Sequence, residues 1–71
     1  MSEYPWERAY AEALLEGFPD RIQQLATVAE NAINDRLEDA LHGRHLIDLR
    51  ERSAIKYALH HLRILRQGLA A

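Results

Sequence analysis

From Pro5 to Glu16 the apolar residues Trp6, Ala9, Tyr10, Ala13 and Leu14 recur at i, i+3, i+4, i+7 and i+8. That spacing lines one side of an α-helix. Glu7, Arg8, Glu12 and Glu16 fall on the opposite side. Pro5 suits a first helical turn, where its missing N–H costs nothing, and Gly17 suits a left-handed residue closing the helix. The stretch "FPDR" restarts the chain. Pro19 can stand in the first turn of a second helix, or Asp20 can cap it with Gln23 three residues on. Ile22, Leu25, Ala26, Ala29, Ala32, Ile33, Leu37 and Ala40 then form one broad face, and Gly43 ends the helix. After a short connection, Asp48 and Glu51 give another capping signature, and a third helix follows with Gly68 as its stop. The predicted helices span about residues 5–16, 19–42 and 48–67. Two long helices joined this tightly must lie antiparallel, as an αα-hairpin.

The third helix carries an unusually wide apolar arc. Ile64, Tyr57, Ala54, Leu65, Ala58, Leu62, Ile55 and Leu59 all lie within it, and so does His61. A helix apolar over more than half its girth needs neighbours on two sides. The second helix covers one side. Either the first helix or a second copy of the chain is expected to cover the other, making the third helix a central rod. The predicted fold is all-α: a short N-terminal helix packed on an antiparallel two-helix hairpin, or a dimeric helical bundle built from it.

Length and composition narrow this picture. A chain of 71 residues holds one small domain, 1–71, whose stability as a monomer is marginal. With no cysteine, neither a disulfide nor a thiolate zinc site can reinforce it. The acidic opening "MSEYPWERAY" lacks the apolar run of a signal peptide. No apolar stretch approaches the roughly 18 residues of a membrane span. A cytoplasmic location is expected.

The net charge of −2 conceals an asymmetry. Residues 1–43 hold nine acids against three arginines, a net −6, whereas residues 44–71 hold six bases against two acids, a net +4. Such halves can neutralise each other on folding, or they can leave a basic surface for an anionic partner.

The candidate chemistry is sparse. His60 and His61 are successive, diverge by about 100° on a helix and cannot readily share one ion. His42 and His45 straddle Gly43 at a helix end, far from the other two. No metal site and no cofactor are predicted; His42 can complement the dipole at the end of the second helix. Arg36 sits within one apolar face and Glu51 within another. A turn near Arg44 brings residues level when their numbers add to about 89, which Arg36 and Glu51 nearly satisfy. They are expected to form a partly buried ion pair that fixes the hairpin register, the alternative being that each side chain reaches water separately.

Arg52, Lys56, His60 and Arg63 form a narrow basic strip, a candidate partner-binding surface. Trp6, Tyr10, Tyr57, His61 and Ile64 form a candidate face for self-association or for docking of the first helix. Nucleic acid stands behind protein as a partner for the strip: the isoelectric point is about 6.0 and no aromatic interleaves with the bases. Ser53 has no base and orienting group around it, and there is no glycine-rich phosphate loop, so no enzyme and no small-molecule substrate are predicted.

The stretches "WERAYAEALLE", "RIQQLATVAENAINDRLEDAL" and "ERSAIKYALHHLRILR" resemble a group of short uncharacterised bacterial helical proteins. The group shares a Trp-Glu-x-Ala-Tyr-x-x-Ala-Leu-Leu-Glu opening, and "HGRHLIDLR" departs from its pattern. The resemblance implies no activity. The functional expectation is therefore a non-catalytic interaction or regulatory module acting through helical surfaces. Its partner is itself or another protein, with a small nucleic-acid-associated factor as the alternative.

Overall fold

The computed structural model describes residues 4–43 and 46–70. It contains α1 (Glu7–Leu15), α2 (Pro19–Leu41) and α3 (Leu49–Ala70), with no strand among the described residues. α1 packs on α2, and α2 on α3, as the all-α reading anticipates. Arg36, near the end of α2, meets Glu51 at the start of α3, while Thr27 meets Arg66 toward the other end. The two long helices are therefore antiparallel. The molecule is 38 Å long, close to the roughly 35 Å that the 23 residues of α2 should span.

Local chemistry explains most helix ends. Pro5 and Trp6 form a turn ahead of the regular part of α1. There the Tyr4 N–H donates to Glu7 Oε1 at 3.1 Å, closing that turn. At the other end of α1 the expected left-handed Gly17 does not occur. Among the described residues the positive-φ residue is Gly43, at φ 73°. Glu16 instead turns extended, and its carboxylate accepts the N–H groups of Gly17 and Phe18 at 3.0 and 3.2 Å. Pro19, not Asp20, opens α2, directly after the extended Phe18. Asp48 caps α3, its Oδ1 accepting the Glu51 N–H at 2.8 Å. Gly68 does not stop α3, which continues through it to Ala70.

The core is small and alanine-rich. Ala13, Ala26, Ala29 and Ala58 are buried together with Trp6, Ile33, Ile55 and Leu62. The alanines let the helices approach closely, and Trp6, Ile33 and Leu62 supply the bulk. One expectation needs correcting: the element that packs along both neighbours is α2, not α3. α1 reaches α3 mainly through its aromatic side chains, so the wide arc of α3 is only partly covered. Tyr57 remains 65% exposed and Ile64 50% exposed.

Candidate interaction surfaces

Glu51 is the point at which all three helices meet. Its position one turn into α3 is fixed by the Asp48 cap, and its side chain is turned inward, leaving the residue 5% exposed. Arg36 of α2 grips it with two parallel bonds, Nε to Oε2 at 2.8 Å and Nη2 to Oε1 at 2.9 Å. Such bidentate pairing is the strongest geometry available to a guanidinium. Arg36 Nη2 also donates to the Leu46 carbonyl at 3.1 Å, pinning the connection to the hairpin. From the segment leading into α1, the Trp6 indole donates Nε1–H to Glu51 Oε2 at 3.2 Å. The hydrogen bonds from Arg36 to Glu51 raise the guanidinium pKa further above its ordinary value. The sequence places Arg36 and Glu51 level with each other, but nothing in the spacing of Trp6 announces that its indole joins them.

Above this node the aromatic residues converge. Tyr4, Trp6, Tyr10 and Tyr57 line one groove with Glu7, Arg50, Ala54 and Ala58. Tyr4 stacks on Trp6 with ring centroids 5.7 Å apart, and Tyr10 tilts against the other side of the indole. Tyr10 and His61 share a 2.8 Å hydrogen bond between the hydroxyl and Nδ1, while the Tyr57 ring meets His61 edge-on at 4.4 Å. Burial, and to a lesser degree the neighbouring Tyr57, push the Tyr10 hydroxyl above its ordinary value of 10.0. Of the residues assigned to the self-association or docking face, Trp6 is buried at 2% exposure. Tyr10 and His61 are half-buried against each other, and Tyr57 and Ile64 face outward. The structure thus splits that face: α1 covers one part and leaves the other open.

The basic strip lies on α3 with Arg52, Lys56, His60 and Arg63 all exposed. Internal neutralisation hardly touches it. The ion pairs between α2 and α3 are Arg36–Glu51 and Arg66–Glu30, and Arg66 also donates to Thr27 Oγ1 at 2.6 Å. Arg50, Arg52, Lys56 and Arg63 make no ion pair with any described residue. Arg52 and Lys56 are separated by one helical turn, a like-charge arrangement unfavourable in an isolated helix.

His60 is solvent-facing, and its ring lies 6.0 Å from that of His61 at a 46° tilt. His42 bonds through Nδ1 to the Glu38 carbonyl at 2.8 Å and so closes the last turn of α2. His45 lies outside the described residues. Among the described residues no three His, Asp or Glu side chains are grouped to hold a metal ion, and no helix is long and apolar enough to cross a membrane.

One surface is only partly legible from periodicity, which puts Leu37 and Ala40 on the broad face of α2 but not the leucines beside them. At the hairpin end Leu41, Leu46 and Leu49 are each at least 80% exposed. There Leu37, Ala40, Leu41, Leu46, Ile47 and Arg52 line an open groove of about 540 Å³. The signal was the leucine spacing across the connection, which belongs to no single helix face. No family model matches the chain, and neither a curated protein nor a solved structure is significantly similar to it.

Proposed function

We propose that this chain is a small non-catalytic protein–protein interaction module whose working surface is the outward side of α3, with self-association as its leading mode. The observation that carries the reading is the exposure of Tyr57 and Ile64, two large side chains seven residues apart and hence on one side of the helix. A domain this small gains most from covering such groups with a second copy. Aromatic and aliphatic anchors of this kind supply most of the affinity of helical interfaces. Light scattering across a concentration series tests it. The wild type is expected to pass from monomer to dimer, and Tyr57→Glu/Ile64→Glu to stay monomeric while keeping its helical circular dichroism. A wild type that stays monomeric throughout contradicts it.

The bases that pair with no described residue support a second reading, a nucleic-acid-associated factor that sets Arg52, Lys56 and Arg63 against phosphates. Such binding to duplex DNA should fall steeply with salt and be lost in Lys56→Glu/Arg63→Glu. Binding that is absent at low ionic strength removes this alternative.

A further inference from the structure

The open groove at the hairpin end belongs to a longer feature on the side of the hairpin that faces away from α1. Around α3, Arg52, Leu59 and Arg63 lie within about 40° of one another, and roughly 180° from Ala54 and His61 on the α1 side. A second groove, about 490 Å³, runs between the same two helices farther along and is lined by Glu30, Leu59, Arg63, Arg66 and Gln67. Each groove has on its α3 edge one exposed base that pairs with no carboxylate among the described residues, Arg52 in the first and Arg63 in the second, while Arg66 is held by Glu30. We propose that this side of the hairpin receives an amphipathic helix of a partner protein. Its apolar side chains settle between Leu37, Leu41, Leu46, Ile47 and Leu59, and its carboxylates lie along Arg52, Lys56 and Arg63.

Charge complementarity selects this occupant. The charged residues of the α3 edge are all basic, so a second copy offering its own α3 sets arginine against arginine. A phosphate backbone would satisfy the bases but leave Leu41 and Leu46, both above 80% exposed, in water. An acidic, apolar-faced helix satisfies both. Eleven residues separate Arg52 from Arg63, about 16 Å along the axis, so about three turns of the partner are engaged. Its other flank is neutral or basic, because Glu38 stands exposed on the α2 edge. This surface differs from the Tyr57–Ile64 side and does not depend on self-association.

The test is isothermal titration of the full chain with a synthetic peptide of about 18 residues. The peptide carries a leucine face, glutamates on one flank and glutamines on the other, and its control has lysine for each glutamate. Saturable binding of the glutamate peptide is expected, at least about tenfold tighter than the lysine peptide and weakening with salt. Arg52→Glu/Lys56→Glu/Arg63→Glu should reverse the preference, and Leu41→Asp/Leu46→Asp should abolish binding. Tyr57→Glu/Ile64→Glu should leave it unchanged. The proposal is overturned by no saturable binding, by equal affinity for the two peptides, or by a DNA duplex that binds more tightly than the glutamate peptide. It is equally overturned if Leu41→Asp/Leu46→Asp dissolves a dimer of the chain, since a second copy then owns the groove.

Discussion

A buried carboxylate that accepts three hydrogen bonds from two residues cannot be removed without disturbing both of them. Glu51→Ala takes from the Arg36 guanidinium its carboxylate and from the Trp6 indole N–H its acceptor, and should cost about 3 kcal/mol. Replacing both ends of the pair, Arg36→Met with Glu51→Leu, should recover much of that loss. Urea denaturation of the two singles and the double checks this, and additive singles would contradict it. The folded pKa of Tyr10 lies above the unfolded one. The stability this contributes is complete below the ordinary value of 10.0 and is lost as pH climbs through the folded value. Urea midpoints should therefore fall above about pH 10, and Tyr10→Phe should flatten that decline.

At the scale of elements, two glycines that read alike in sequence behave oppositely. Gly43 adopts φ 73°, where an L side chain is strained, so Gly43→Ala should destabilise by about 1 kcal/mol. Gly68 lies inside α3 with open space where a Cβ would stand. Gly68→Ala should therefore stabilise by about 0.5–1 kcal/mol. Thermal melts of the two variants should move in opposite directions. Much of the helical layout was legible because its signals are local: periodic apolar faces, Pro19, Asp48 and Gly43. The end of α3 was not, since a glycine past the last apolar residue permits a stop without enforcing one. Nor was the true terminator of α1 visible, because Glu16 captures two backbone N–H groups in a loop conformation that no helical wheel represents.

At the scale of the whole molecule, the level of Arg36 with Glu51 could be read from the hairpin turn, whereas coverage of α3 could not. A wheel shows which side chains are apolar but not whether a nine-residue α1 is long enough to cover them. That shortfall leaves Tyr57 and Ile64 at least half exposed. The free basic strip carries a cost that folding does not remove. Lys56 lies one turn from Arg52 with no carboxylate among the described residues to relieve it, so Lys56→Glu should raise stability by about 0.3 kcal/mol while weakening any acidic partner. A loss of stability in that variant would mean that Lys56 is engaged within the fold. Such a trade is what a surface kept for binding should show.

All of these surfaces stand where they do because Glu51 ties the start of α1 and the body of α2 to α3. The chain has one tryptophan, so its indole N–H gives a single unambiguous ¹H–¹⁵N signal. Hydrogen exchange of that signal, followed in the wild type and in Glu51→Gln, tests the tie directly. Strong protection in the wild type, with a displaced and faster-exchanging signal in the variant, is the predicted result. An indole that exchanges freely, or that is indifferent to the change at Glu51, would contradict the account.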